Sequence, residues 1–322
     1  QVGSTDTRWN EKQVESYRNF ANKIWNAARF CLLNSEGAAV DEGTLKQPIA
    51  LHDRWIISRL NRTAHELNHA IDSYEFHSAV QALYHFFWDD FCDWYIELAK
   101  ADVTAEQESA ARTEARSRLL TVLEQALRLL HPFMPYITEE LWQRLPGEKR
   151  IHAAYEGAEP TVMLTAYPEG EAQLIDEVAE SEMQAIIELI SRVRNIRSEM
   201  NIKASERIPI VVGAPDENLR RVFESAREQI ARLVRASEVS VSERLEAPKA
   251  SARAVLTGGA ELAIPLEGLI DFEQERRRLQ RELEKLQAEA AKLEAQLSNP
   301  NFVERAPAER VAEVRDRIAA IA

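Results

Sequence analysis

The chain has 322 residues, 45% of them hydrophobic and 29% charged, with 10 glycines and 12 prolines. That texture belongs to a folded, helix-rich protein of about two or three domains and excludes a fibrous or disordered chain. A net charge of −13 excludes a surface that grips nucleic acid everywhere and leaves such work to a local basic or stacking face.

No apolar run of about 18 residues is present, so no membrane-spanning helix is expected. The opening QVGSTDTRWNEKQ lacks the basic and then apolar order of a signal peptide. Cys31 and Cys92 stand among apolar neighbours in helical patterns. They read as buried, reduced thiols of a cytoplasmic protein rather than a disulfide framework.

From about Glu11 to Leu145 the pattern is nearly continuous helix. KQVESYRNFANKIWNAARFCLLN carries an apolar stripe at Tyr17, Phe20, Ile24, Ala27 and Cys31 and ends at the loop SEGAAVDEGT. LHDRWIISRLNRTAHELNHAIDSY repeats the period through Ile56, Leu60, Leu67, Ile71 and Tyr74. FHSAVQALYHFFWDDFCDWYIELAK, dense in aromatics, reads as the middle of a bundle. A fourth helix is expected over about 105–130, and Pro132 and Pro135 announce a short last one in HPFMPYITEELWQRL.

Past PGEKR, short β-like runs alternate with helices. The expected order is TVMLTAY as a strand, a helix over 176–200, the strand RIPIVV, a helix over 217–234, and the strand EVSVSE. A hairpin then turns at Gly258 and Gly259 in ARAVLTGGAELAIPL. This is a small α+β domain.

From Leu269 apolar residues recur in steps of three and four through Phe272, Leu279, Leu283, Leu286, Ala290, Leu293 and Leu297, broken only by Arg276. SNPNFVERAP interrupts them, and Val311, Val314, Ile318 and Ile321 resume the alternation. The reading is an antiparallel coiled-coil hairpin. Its outgoing arm is about twice as long as the returning one, so part of its seam lacks a partner within the chain.

Within the second helix, His65, Glu66 and His69 have the spacing of HExxH, which on a helix lets two imidazoles share a zinc beside a glutamate base. At about 100° per residue, His65 and His69 fall opposite the apolar stripe, beside Ser58, Asn61 and Asp72, on the expected solvent face. A metzincin needs Gly at 72 and His at 75, where the chain has Asp72 and Glu75. A zinc hydrolase is therefore the remote alternative, and no metal site is expected. Asp89, Asp93 and Glu97 share a helix face but read as a solvated acidic surface, since nothing nearby supplies an apolar pocket for acid–base work. The sequence has no G-x-S-x-G, P-loop or G-x-G-x-x-G motif, so no catalytic residue is assigned.

The first helix carries a different signal. Opposite its stripe stand Arg18, Asn22, Trp25 and Arg29, flanked by Asn19, Asn26 and Phe30. Guanidinium, amide and aromatic groups on one face can hold phosphate, pair with base edges and stack on unpaired bases of RNA. Packing of Trp25 and Phe30 inside the bundle is the competing reading.

YRNFANKIWNAARFCLLN, DRWIISRLNRT, AVQALYHFFWDDFCDWYIELAK and LLHPFMPYITEELWQRL resemble the anticodon-binding helical domain of class I aminoacyl-tRNA synthetases of the valine, isoleucine and leucine group. SRVRNIRSEMNI and the terminal LSNPNFVERAPAERV resemble, within that group, the bacterial-type valyl-tRNA synthetases. The resemblance extends from Tyr17 onward and implies a mainly α chain in three parts. These are a helical-bundle anticodon-binding domain over 1–150, a small α+β connecting domain over 151–266, and a coiled-coil tRNA-binding arm over 267–322.

The sequence has no HIGH-type or KMSKS-type motif and no stretch of the length a catalytic or editing domain needs. The resemblance thus implies the C-terminal part of such a synthetase, inactive alone, with a last helix shorter than is typical of the family. The complete enzyme would join valine to its tRNA with ATP and Mg²⁺, and the fragment itself needs no cofactor. Its expected role is to position valine tRNA, with Arg18, Asn22, Trp25, Asn26, Arg29 and Phe30 at the anticodon loop. Arg276, Arg277, Arg278, Arg281 and Lys285 of the arm are assigned to phosphates at the outer corner. The expected state is a monomer, away from membranes, in which self-association is open through the unpaired seam. The rival reading is a coiled-coil protein-interaction module without RNA binding.

Overall fold

The computed structural model describes residues 11–48, 50–105, 107–269, 272–298 and 308–321. Helix α1 runs Glu11–Leu33 and α2 Leu51–Asp72. A long third rod follows, made of α3 (Phe76–His85), a π-helical segment (Phe86–Tyr95) and α4 (Ile96–Val103). The bundle closes with α5 (Ala110–Leu130) and α6 (Pro135–Arg144).

The fourth helix starts at 110, not near 105, because Ser109 caps it: its Oγ accepts from the Arg112 amide at 3.2 Å. The α1 stripe is buried at Ile24, Ala27 and Cys31, whereas Tyr17, expected to join it, is 61% exposed. Cys31 and Cys92 are both buried and free. Burial pushes the Cys92 thiol up to about 12 and the Cys31 thiol higher still, so neither is a thiolate at neutral pH.

The expected solvent face of α2 holds at His65, His69 and Asp72, which are exposed, and fails at its N-terminal half. Ser58 and Asn61 are buried because the chain after the bundle returns along them. Ser58 Oγ accepts from the Asp176 amide at 2.8 Å, and Asn61 Oδ1 accepts from the Glu171 amide at 2.7 Å. Arg54 donates to Asp176 through Nε and Nη2 at 2.9 and 2.6 Å, and Arg62 Nε lies 3.1 Å from the Glu180 carboxylate. These bonds seat α7 (Glu177–Glu199) against α2.

Deeper in the bundle, Arg118 pairs with Asp53 at 2.7 Å, and Tyr95 Oη donates to the other Asp53 oxygen at 3.0 Å. Each charge is hydrogen-bonded, the condition under which buried ions are tolerated.

The segment TVMLTAY is not a strand. It forms a short 3-10 turn over Val162–Leu164, tied to α6 where Glu139 accepts from Thr161 Oγ1 at 2.7 Å and from the Val162 amide at 3.0 Å.

Beyond α7 lies a four-stranded mixed sheet of β1 (Ile208–Gly213), β2 (Ala236–Ser242), β3 (Ser251–Val255) and β4 (Glu261–Pro265), in the order β2-β1-β4-β3. β1 and β2 pair in parallel, with a register irregularity at Ile208/Pro209, where proline has no amide to give the ladder. Their crossover, expected as one helix, is two: α8 (Glu217–Ser225) and α9 (Arg227–Val234), broken at Ala226. The β3–β4 hairpin turns at Gly258 and Gly259, both with positive φ, as expected. Gly213 has another reason: a Cβ there would lie 2.4 Å from the Leu245 backbone nitrogen.

One apolar cluster runs from Ile24 to Leu266 through bundle and sheet alike. Helices α10 (Phe272–Leu297) and α11 (Ala308–Ile321) follow and pack on one another. Arg317 Nε meets Glu289 Oε1 at 2.8 Å across that contact. Val311 and Val314 are buried there but lie outside the main cluster. Leu283 is 49% exposed, while Leu279 lies outside the described side chains.

Candidate nucleic-acid interface

Ile24, Ala28 and Cys31 turn one side of α1 into the core, and the helical period then turns Arg18, Asn22, Trp25, Asn26 and Arg29 outward, where all five are exposed. Arg18 is paired with Glu15 at 3.3 Å in a wet, weakly held contact. Trp25, 42% exposed, has the Arg144 guanidinium 6.0 Å from its ring centroid. The competing reading of Trp25 as a buried packing residue is thereby set aside.

Phe30 divides differently. It is half-buried against the core, with Lys100 Nζ 5.7 Å above its ring. The structure therefore brings five of the six α1 residues onto one open face and leaves Phe30 at its edge.

Sequence periodicity did not find the aromatic stack beside that face. Phe20 lies 5.0 Å from Tyr84, and Tyr84 stacks on Trp88 at 5.5 Å with an interplanar angle of 16°. Lys23 Nζ sits 4.7 Å over the Trp88 ring, a cation–π contact. Tyr84 and Trp88, four apart on the rod, share a face, but which face meets α1 is set by the packing of the two helices and is not written in either period.

His65, Glu66 and His69 are exposed on α2. Among the described residues no group of three or more His, Cys, Asp or Glu is placed to hold a metal. Asp89 pairs with His85 at 2.8 Å, and Asp93 and Glu97 pair with Lys23 and Lys100. The acidic face is a set of surface ion pairs, as expected.

On α10, Arg276, Arg277, Arg281 and Lys285 are exposed; Arg278 lies outside the described side chains.

Residues 53–212 match the family model of the anticodon-binding domain of tRNA ligases, and residues 271–322 match that of the valyl-tRNA synthetase tRNA-binding arm. The first match, which runs from α2 through α7 into β1 and does not include α1, defines the class: an anticodon-binding helical domain of a tRNA ligase. The valine-tRNA ligase of Oceanobacillus iheyensis is 42% identical over 315 residues, which are 97% of this chain and 34% of that protein. Those of Geobacter sulfurreducens and Bacillus subtilis are each 40% identical, over 98% and 97% of this chain. The chain belongs to the valine-tRNA ligase family, matching the C-terminal part of its relatives. It spans about a third of their length.

Proposed function

We propose that this chain is the tRNA-binding portion of a valine-tRNA ligase and that it positions valine tRNA for aminoacylation at a catalytic site outside it. One observation carries the reading: a single chain joins an anticodon-binding bundle to a tRNA-binding arm, each matched by its own family model. Three units share the work. Residues 1–150 hold the anticodon loop, 151–266 connect, and 267–322 form a coiled-coil arm against the outer corner of the tRNA.

The chemistry of each contact follows from the residue types. Arg18 and Arg29 neutralise phosphates, Asn22 and Asn26 offer amides to base edges, and Trp25, with Phe30 at its border, presents a ring to an unpaired base. Arg276, Arg277, Arg278, Arg281 and Lys285 meet phosphates from the arm. In the whole enzyme, ATP and Mg²⁺ activate valine. Both are assigned to the catalytic part. We place the protein in the cytoplasm as a monomer; among the described residues no helix is long and apolar enough to cross a membrane.

Two sets of variants test the division of labour by tRNA-binding anisotropy. Replacing Arg18, Asn22, Trp25 and Arg29 by alanine should abolish discrimination between valine tRNA and the same tRNA with a changed anticodon. Replacing the five arm residues should flatten the salt slope by about 0.7 to 0.9 per lost contact and leave discrimination intact. Unchanged affinity and slope in both sets would refute the proposal. Dimerisation through the half-exposed Leu283, without tRNA affinity, would favour the interaction-module reading.

A further inference from the structure

Where the C-terminal end of α7, the loop after it and the end of α9 meet, the surface forms a concavity of ≈ 480 Å³ lined by Ser205, Arg207, Ala231, Arg232, Arg235 and Ala236. Arg194 and Arg197 of α7 border it by reaching the end of α9: Arg194 Nη2 donates to the Leu233 carbonyl at 3.5 Å, and Arg197 Nη1 to that of Val234 at 3.3 Å. Three arginines thus line one concavity, with Arg197 and Arg194 behind it, the latter 5.2 Å from the Trp94 ring centroid, in a chain whose net charge is −13.

The pairing of these arginines differs from that of the bundle. Arg54, Arg59, Arg62, Arg116, Arg118 and Arg128 each lie within 4.0 Å of a carboxylate. Among the described residues, none of the five around the concavity does. Those that are tied down are tied to backbone carbonyls, which fix a guanidinium without cancelling its charge. Arg232 donates to the carbonyls of Glu97 and Leu98 at 3.1 Å each, and Arg235 to that of Ala204 at 3.1 Å. Arg197 donates to those of Lys203 and Glu206 at 2.7 and 2.9 Å.

Arg235 also holds a left-handed backbone, φ 54°, a conformation that costs a non-glycine residue energy and that persists only where the surroundings impose it. The like charges act on one another: burial, and after it the Arg235 charge, lowers the affinity of Arg197 for its proton, while Glu206 is the acid that opposes the trend. Pre-positioned, uncompensated guanidinium groups lining a concavity match the forked geometry and charge of phosphate oxygens.

The position indicates the source of the phosphate. Glu97 and Leu98, which anchor Arg232, are within one turn of Lys100, whose ammonium sits over Phe30 at the edge of the exposed α1 face. The concavity and the edge of the α1 face are thus tied to the same turn of α4.

We propose that the Arg207–Arg232–Arg235 concavity is an additional phosphate site that binds the sugar–phosphate backbone of the tRNA, separate from the α1 face and the arm. The proposal rests on the tRNA-binding reading, and its test separates the two. The variant is R207Q/R235Q, compared with R150Q/R253Q, which removes the same charge at exposed arginines elsewhere. Circular dichroism and thermal unfolding establish that each variant is folded.

Valine tRNA binding is measured by anisotropy over a salt series. The site variant should lose about 1.4 to 1.8 from the salt slope, two contacts' worth, while the control variant keeps the wild-type slope. Wild-type slope in the site variant would overturn the proposal. In a second arm, binding of inorganic pyrophosphate to the tRNA-free protein is followed by calorimetry at fixed ionic strength. If the wild type binds no tRNA but binds pyrophosphate in a way that R207Q/R235Q abolishes, the tRNA reading fails and the site stands only as a free-phosphate site. Absence of both kinds of binding overturns both.

Discussion

At Gly213 the demand is for space rather than for φ. The Leu245 backbone passes so close that a Cβ would sit 2.4 Å from its nitrogen, and G213A should therefore cost about 1–3 kcal/mol by forcing β1 away from the loop that follows β2. Urea unfolding reads this directly, and an unchanged midpoint would contradict the close approach. Arg118 and Asp53 are both buried, so Arg118→Leu strands a carboxylate and should cost about 3–5 kcal/mol. Replacement of an exposed arginine such as Arg253 should stay within about 0.5 kcal/mol.

Asp176 gives the pH dependence. Burial works against its charge, but the Ala179 amide at 2.9 Å and the Arg54 guanidinium outweigh burial and hold the carboxyl below its ordinary range. A depressed carboxylate contributes its stability above the unfolded value of about 3.9 and loses it as pH falls through the folded one. D176N, whose amide can still cap α7, should differ from the wild type at pH 7, and the difference should shrink towards pH 3. A gap that stays constant over that window would show that the Arg54 pair does not couple α2 to α7. Nothing in the sequence pairs position 54 with 176, since the partners are far apart along the chain and each reads as an ordinary surface charge.

Among the elements, α1 was the most legible. Its period separates a core side from a mixed polar side, and the exposed Arg18, Asn22, Trp25, Asn26 and Arg29 follow from that period alone. Because these side chains contribute little to packing, replacing Arg18, Asn22, Asn26 and Arg29 by alanine should leave the unfolding free energy within about 0.5 kcal/mol, and alanine's helix propensity offsets part of any loss. A large loss of stability would mean that the face is structural.

Helix α2 was legible as a helix and misread along part of one face. His65 and His69 are exposed as their spacing indicated, but Ser58 and Asn61 on the same side are buried and serve as acceptors for the amides of a returning segment. The π-helical stretch, the break at Ala226 and the 3-10 turn at Val162 escaped for a shared reason. Each is settled by tertiary neighbours that override weak local preferences.

For the whole molecule, composition gave the class and its charge warned that any RNA surface must be local. The arginine concavity could not be read in advance because Arg207, Arg232 and Arg235 come from a loop and two ends of α9 and β2, brought together only by the crossover between parallel strands. The arm is continuous in sequence and so was legible as two helices, α10 of 26 residues and α11 of 14. The excess length leaves Leu283 half-exposed. If that stretch self-associates, Leu283→Gln should abolish any concentration-dependent dimer seen by analytical ultracentrifugation, with tRNA affinity unaltered.

The measurement that bears most directly on the molecule as a tRNA-positioning unit is fluorescence anisotropy of the purified chain with valine tRNA, beside the same tRNA carrying a changed anticodon, at two salt concentrations. The expected result is binding that weakens with salt and is tighter for the native anticodon. Equal affinity for both tRNAs, or none for either, would contradict it.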